Sequence, residues 1–199
     1  MKAVRTFAGT AGVVLFLHGC ALLPGGAPPP LDTYELSAPS DEAVSRRGKT
    51  QILIAEPSAL KALDGQNIVV QPAPGVINYL KGAQWADRLP RVVQARLAEA
   101  FQSSGKFGGV GKPGEGLAID YQIITEIRAF EVWVHGAPTA RIELFVKILN
   151  DRNGVVRASR SFEAVSPVSG TGNDAYIAGL DRAFSATALG IVNWTDSII

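Results

Sequence analysis

The sequence predicts an α+β fold, in which two main helices pack on a largely antiparallel sheet of about five to six strands. Two observations predict the sheet: apolar and polar residues alternate over long runs between residues 117 and 162, and a strong turn signal separates two of these runs. The helices are predicted by apolar residues that recur at three- to four-residue spacing over 89–101 and 177–191. The chain shows no internal repeat, so one folded domain is expected.

The first half of the chain predicts short strands and then a helix. Short apolar runs bounded by proline, glycine or polar residues lie at 34–36, 51–56, 67–71 and 76–80. Asp87 is expected to cap the helix that follows, because Pro90 then falls in its first turn, where a missing N–H costs little. Gly105 is expected to end this helix as a C-terminal cap.

The longest strand pattern runs from Leu117 to Val134. Most of its apolar residues stand at odd-numbered positions up to Ile127 and at even-numbered positions from Phe130 onwards, so the alternation changes phase between them. Alternation cannot change phase without an extra residue, so a bulge or bend is predicted near 128–129. The next two alternating runs, 142–148 and 156–162, are joined by the Asn-Gly hairpin signal at 153–154. Together the three runs predict an antiparallel meander.

The last helix is predicted after residue 172, capped by Asn173 or Asp174. Its apolar stripe contains five residues: Ile177, Leu180, Phe184, Ala188 and Ile191. Such a stripe at helical spacing indicates one face packed on the sheet.

The chain begins with the pattern of an export signal. Basic residues precede an apolar run that ends at Gly19, directly before Cys20, the single cysteine. The sequence Leu17-His18-Gly19-Cys20 resembles the lipobox of bacterial lipoproteins, which implies cleavage before Cys20 and lipid attachment to it. One alternative is that Cys20 is an ordinary residue at the end of a signal peptide. A second is that the apolar run is a transmembrane helix, but the run is short for this, because a helix needs about 20 apolar residues to span a membrane.

These boundaries predict three segments. Residues 1–19 form a lipoprotein signal peptide, residues 20–31 contain the lipidated cysteine and a tether rich in proline and glycine, and residues 32–199 form one periplasmic domain. The formal net charge is +1, which gives no electrostatic case for binding nucleic acid. Export with a single cysteine means that the fold has no disulfide to rely on.

The motifs for enzyme chemistry are weak. Residues 109–114 fit G-x-G-x-x-G, but Pro113 interrupts the motif and a strand pattern follows it, so no nucleotide cofactor is expected. His135 has no second histidine in the domain with which to share a metal, and a solvated loop is its expected place. Four carboxylates could pair in space or line a solvated sheet face: Asp120, Glu126, Glu131 and Glu143. With no set of nucleophile, base and orienting group, the sequence predicts a protein that is not an enzyme and has no cofactor.

One stretch resembles a known family. It runs through Val76-Ile-Asn-Tyr79, Trp85-Ala-Asp87-Arg-Leu-Pro90 and Phe101-Gln-Ser-Ser-Gly-Lys-Phe107, and ends at Val110. These segments are similar to the ABC-type transport auxiliary lipoprotein family, which includes PqiC- and YmbA-like lipoproteins. Tyr79, Trp85 and Phe107 are expected to pack the helix onto the sheet, with Asp87 and Pro90 at the entry to the helix.

The resemblance implies a role and partners. Members of the family are lipid-anchored periplasmic components of transport systems that contain an ABC ATPase, a permease and an MCE-type substrate-binding protein. These systems are linked to lipid movement between the inner and outer membranes. Some relatives form rings, so the resemblance also implies a homo-oligomer. Ala21 follows the cysteine in place of aspartate, which favours the outer membrane under the common sorting rule.

The candidate contact surface is Phe130, Val132, Trp133 and Val134, which follow the phase change and end at a hairpin tip. If these side chains are exposed, so large an apolar patch marks a partner or lipid surface. If the phase change only carries them to a packed face, they belong to the core, and the sequence leaves both readings open.

Three functions remain open from the sequence. The first is an auxiliary lipoprotein of an MCE-type lipid transport system, and the second is an assembly lipoprotein that docks on an envelope complex without touching lipid. The third is an envelope hydrolase whose groups meet only in the fold. A cavity lined by apolar side chains would favour the first, a flat patch without a cavity the second, and a pocket of converging titratable groups the third.

Overall fold

The computed structural model describes residues 30–39 and 48–199, and one mixed sheet with two helices forms the body of this part of the chain. The described residues form eleven elements: β1 (Asp32–Tyr34), β2 (Gln51–Ile54), β3 (Ser58–Ala59), β4 (Asn67–Ala73), β5 (Val76–Trp85), α1 (Leu89–Ser103), β6 (Gly109–Gly111), β7 (Tyr121–Trp133), β8 (Thr139–Asn150), β9 (Val156–Pro167) and α2 (Asn173–Ile198). The α+β class and the two helices are confirmed.

The sheet is larger than predicted and is not purely antiparallel. It has nine strands in the described residues, and β4–β5, β7–β8 and β8–β9 are its antiparallel pairs. The pairs β1–β5, β2–β6, β2–β7, β3–β7 and β4–β7 are parallel. The predicted count of five to six strands was wrong, and the parallel pairs were not foreseen, because the short early strands join β7 by long crossovers, which alternation within a run cannot reveal.

β7 is the central strand of this sheet. One of its edges pairs with β8 along its whole length, while the other edge meets β2, β3 and β4 in turn. The predicted bulge is confirmed: between Ile127 and Ala129 the register with β8 shifts by one residue, with Arg128 as the extra residue. The bulge keeps the apolar side chains on one face, because Ile127 pairs with Leu144 and Phe130 with Ile142.

The helices cover one face of the sheet and form the core with it. The predicted stripe of α2 is buried throughout, and Phe184 lies 6.3 Å from Phe130 between ring centroids. α2 can approach β8 closely at Gly179, where an added Cβ would lie 3.3 Å from the Ala140 side chain. The Asn-Gly hairpin is confirmed between β8 and β9, with Gly154 at a φ of 71°.

Both predicted N-terminal helix caps differ in the structure. α1 has Arg88 at its N-cap and no side-chain cap, and Asp87 accepts a hydrogen bond from the adjacent Arg88 N–H instead. α2 has Gly172 at its N-cap. Asn173 donates to the Lys81 carbonyl, so tertiary partners compete for the side chains that the sequence assigns to caps.

Candidate interaction surface

The face of β7–β9 that points away from the helices is uncovered by either helix. Residues that pair across antiparallel strands share a face, and here the even-numbered residues of β8 point to the helices while the odd-numbered ones point away. We call the outward side chains of the three strands the open face: Ile124, Glu126, Arg128, Glu131, Trp133, Arg141, Glu143, Phe145, Lys147, Glu163 and Val165.

A buried carboxylate lies in this face. Glu131 is 6% exposed, and both of its oxygens are hydrogen-bonded. Oε1 accepts from Trp133 Nε1 at 2.9 Å and Oε2 accepts from Gln71 Nε2 at 2.7 Å, while an Arg141 nitrogen lies 3.7 Å from Oε1. Burying a charge is costly unless it is paired and hydrogen-bonded, so this set of partners is what holds the carboxylate there.

Arg141 joins the carboxylates of the open face. Its guanidinium donates to Glu163 at 2.8 Å and to Glu143 at 2.9 Å, in addition to its contact with Glu131. The hydrogen bond to Glu163 raises the pKa of Arg141, and the charges of Glu143 and Glu131 add to that effect. Of the four carboxylates for which the sequence left pairing open, Glu131 and Glu143 lie here and share Arg141, so opposite charges alternate on this face.

The bulge adds a second arginine to the open face. As the extra residue, Arg128 lies over the Phe145 ring, with the guanidinium carbon 4.1 Å from the ring centroid. It also lies 3.5 Å from a Glu126 oxygen and 3.8 Å from a Glu143 oxygen. Arginine and aromatic side chains are enriched at protein interfaces, so the composition of this face suits contact with a protein.

The residues predicted to contact a partner divide between the core and the open face. Phe130 and Val132 are 1% and 0% exposed and point to the helices, so the core reading holds for them and they are no part of an exposed surface. The bulge explains this, since it returns the apolar residues after Ile127 to the packed face. Trp133 is half-buried on the open face, and Val134 is half-buried beside β4, where its N–H donates to the Gln71 carbonyl.

The residues that carry the resemblance are mostly structural. Trp85 and Phe107 are buried, with Trp85 edge-on to Phe130 at 5.7 Å, and Pro90 is buried in the first turn of α1. Tyr79 differs from its expected role, because it is 46% exposed and does not pack the helix onto the sheet. It pairs with Val69 on a stretch of β5 that forms an edge of the sheet among the described residues.

Among the depressions on the surface of the described residues, three have volumes of about 230, 430 and 410 Å³. Each is lined in part by charged side chains, among them Arg96, Asp120 and Arg128 respectively. All three are open at the surface, so none of them encloses an acyl chain.

Asp120, which lines one of these depressions, is poorly suited to act as a general base. Asp120 accepts from the Gln51 N–H at 3.0 Å and from Arg152 at 2.6 Å, and these bonds lower its pKa. A carboxylate with a lowered pKa is a poor general base. Among residues 30–39 and 48–199, no group of histidine, cysteine, aspartate or glutamate side chains is placed to hold a metal ion. His135 is exposed after β7, as expected.

Cys20 lies outside the described residues, so its lipidation stays a prediction. In the part of the chain that the structure describes, no helix is long and apolar enough to cross a membrane. Sequence reasoning missed the Glu131–Arg141 contact, because that contact depends on the register of β7 against β8. The available signal was a glutamate between two apolar residues of a strand.

Comparison with known proteins identifies the family. A family model described as the ABC-type transport auxiliary lipoprotein component matches residues 34–192. An uncharacterized protein of Bradyrhizobium diazoefficiens is 31% identical over 175 residues, and the match covers 86% of this chain but only 46% of that relative.

Solved structures share the fold. The crystal structure of XCC0632 from Xanthomonas campestris, a DUF330 protein, has a TM-score of 0.75 and 29% identity, and the match covers 83% of this chain and 95% of that one. The structure of CT253 from Chlamydia trachomatis has a TM-score of 0.54 at 10% identity, covers 76% of this chain and 98% of that one, and shows the fold alone. The family is one of auxiliary transport components of the cell envelope and is not a known enzyme family. The chain belongs to the ABC-type transport auxiliary lipoprotein family.

Proposed function

We propose that this protein is a lipid-anchored, periplasm-facing auxiliary component of an ABC/MCE-type transport system, and that it assists phospholipid movement between the inner and outer membranes. The observation that carries the proposal is the family match over residues 34–192. The lipobox at Cys20 and the proline- and glycine-rich tether support attachment to a membrane. Because Ala21 follows the cysteine, we place the anchor in the outer membrane.

The open face supports docking onto a protein partner. Its charged side chains form ion pairs with one another, and an arginine stacks on an aromatic ring among them. A partner that packs on this face meets side chains that are already ordered, so the entropy lost on binding is small. Val165, at the edge of the face on β9, is 58% exposed and gives an apolar contact.

The open shape of these three depressions supports a role in assembly over a role as a lipid carrier. Since none of the three encloses a cavity, we propose that the lipid path is formed with the partner subunits. This leaves a second candidate, an assembly lipoprotein that docks on an envelope complex without binding lipid, and the same observation favours it.

The test is purification of the mature lipoprotein from mildly solubilised membranes, followed by native mass spectrometry with lipid analysis. We expect an MCE-type subunit to copurify, and bound phospholipid in the complex would favour the transport role over docking alone. A clean monomer without partner or lipid would contradict both roles. The subunit number of any homo-oligomer is read from the same spectra.

A pair of matched variants tests the docking face. Val165 and Val155 are both 58% exposed, but Val155 lies in the turn before β9 and outside the open face. We expect Val165→Asp to lose the copurifying partner and Val155→Asp to retain it. Equal recovery of the partner with both variants would show that docking uses another surface. Fractionation of the two membranes tests the location of the anchor.

A further inference from the structure

We propose that the tip of the β4–β5 hairpin seats in the lipid bilayer to which Cys20 is attached, and so fixes the orientation of the domain on the membrane. The contact surface is the hairpin arm, residues 72–77, with Tyr79 directly behind it on β5. Its occupant is the headgroup and upper acyl region of that bilayer. The inference rests on the proposed lipidation of Cys20 and goes beyond it, because an anchor on a tether attaches a domain without orienting it.

The hairpin arm extends past the rest of the sheet. β7 ends at Trp133, which pairs with Gln71, and the arm begins at the next residue of β4. Six consecutive residues, 74–79, are exposed, so the side chains on both faces of the arm reach solvent. Pro74-Gly75 forms the turn, with Gly75 at a φ of 76°, which a glycine adopts without strain.

The exposed side chains on and directly behind the arm carry no charge, and apart from Asn78 they are apolar or aromatic. Val76 is 45% exposed, Ile77 is 47% exposed and Tyr79 is 46% exposed, and no residue from 67 to 80 carries a charge. An exposed apolar patch of this kind marks a contact with a partner or a membrane. The ring of Tyr79, two residues behind Ile77 on the same strand, combines an apolar body with a polar tip, which is the character of side chains at a membrane interface.

The tether starts on the same side of the molecule. β1 pairs parallel to β5, with Asp32 opposite Ala83, so the chain before Asp32 leads along β5 towards the arm. From Ala83 to Val76 the strand covers at most about 23 Å at 3.3 Å per residue. Residues 20–31 reach up to about 35 Å when extended. The tether is therefore long enough to bring a lipid on Cys20 to the level of the arm.

A second copy adding a strand to the free edge of β5 is less suited to this arm. Two register shifts interrupt the β4–β5 pairing: from Tyr79 to Gln84 β5 advances five residues while β4 moves back two, and a second shift separates the pair Val70–Asn78 from the pair Ala73–Val76. Only residues 78–79 of β5 pair regularly between the two shifts, and bulges twist an edge away from pairing. By contrast β9, the long free edge strand at the other side of the sheet, carries charges at Arg157, Arg160 and Glu163, which is how edges are protected.

The depth of insertion is shallow. No strand among the described residues pairs with the backbone groups of 76–79 that face away from β4, and unpaired backbone groups are excluded from the hydrocarbon core of a bilayer. The side chains of Val76 and Ile77 therefore enter the upper acyl region while the turn stays among the headgroups.

The experiment uses single labels on the full mature lipoprotein. Acylated Cys20 leaves no free thiol in the chain, so Ile77→Cys and Leu60→Cys each provide one site for an environment-sensitive fluorophore. Leu60 is 80% exposed after β3 and is the matched control outside the arm. Each labelled protein is reconstituted in vesicles of phosphatidylethanolamine and phosphatidylglycerol that contain a phospholipid with a nitroxide near its headgroup.

We expect quenching of the label at Ile77 to be several-fold greater than quenching of the label at Leu60. Equal, weak quenching at both sites on floating vesicles would overturn the membrane contact. Disulfide-linked dimers of unlabelled Ile77→Cys under mild oxidation, together with weak quenching of the labelled protein, would overturn it in favour of a second copy. Failure of the wild-type protein to float with the vesicles, with Cys20→Ala behaving identically, would instead reject the lipid anchor and with it the proposed attachment.

Discussion

Removing the positive charge of Arg141 should destabilise the fold through the buried Glu131 carboxylate. Breaking a fully buried ion pair by removing one partner costs about 3–5 kcal/mol. Here the Arg141 side chain is 32% exposed and the Glu131 side chain is 8% exposed, and Trp133 and Gln71 still donate to the carboxylate. We therefore expect Arg141→Met to lower the free energy of unfolding by about 2–3 kcal/mol, below that range.

A double-mutant cycle identifies the cause of this loss. Glu131→Gln keeps an acceptor for Trp133 and should cost about 1 kcal/mol on its own. If the uncompensated charge causes the loss, adding Glu131→Gln to Arg141→Met should recover at least about 1 kcal/mol relative to the sum of the two single costs.

Urea unfolding of the mature chain in mild detergent, followed by circular dichroism, measures these differences. With a slope of about 2 kcal/mol per molar urea, the loss for Arg141→Met corresponds to a midpoint shift of about 1 M. Arg91→Met is the control, because Arg91 is 56% exposed and its ion pairs lie at the surface, where they are worth about 0.5 kcal/mol. Additive costs in the cycle, or equal losses for Arg141→Met and Arg91→Met, would refute the reasoning.

Three further predictions follow from the described contacts and from the sequence. Trp85→Ala should lower the free energy of unfolding by about 3–5 kcal/mol, because Trp85 is 1% exposed, and Tyr79→Ala by less than about 1 kcal/mol; equal urea midpoints would contradict this. The hydrogen bond from Tyr34 to Asp174 raises the pKa of Tyr34 to about 12. This bond therefore stabilises the fold fully below pH about 10, the pKa of tyrosine in the unfolded chain, and its contribution is lost as the pH rises from about 10 to about 12. Wild-type protein should therefore lose stability more steeply than Tyr34→Phe across that alkaline range, and parallel curves would show that the bond is not maintained. Cys20→Ala should move the folded domain to the soluble fraction, and a variant that stays in the membrane fraction would contradict lipidation.

The local elements could be predicted from the sequence where one run of residues contains the whole signal. The phase change after Ile127 requires an extra residue, and Arg128 is that residue. The Asn-Gly turn before β9 likewise depends only on residues next to one another. Both features were predicted for a physical reason that acts over a few residues.

Features that depend on distant residues could not be predicted in this way. β6 has only Val110 between two glycines and forms a strand because β2 pairs with it. β5 continues to Trp85 through an irregular stretch that contains Gly82 at a φ of 72°, so its alternation fails although the strand does not. The open face also depends on long-range pairing, since only the register of β7 and β8 brings Glu131 to Arg141.

The arrangement of β7 has a consequence for the order of folding. The meander of β7, β8 and β9 is joined by short turns, so its contacts are local and can form early. β2, β3 and β4 also pair with β7, at residues 121–123, 126–127 and 131–133, which are synthesised later. The β4–β5 hairpin can form on its own, but we expect these early strands to join the meander only after β7 has left the ribosome and the export channel. The sheet is therefore completed only after the proposed lipidation site at Cys20 has been exported.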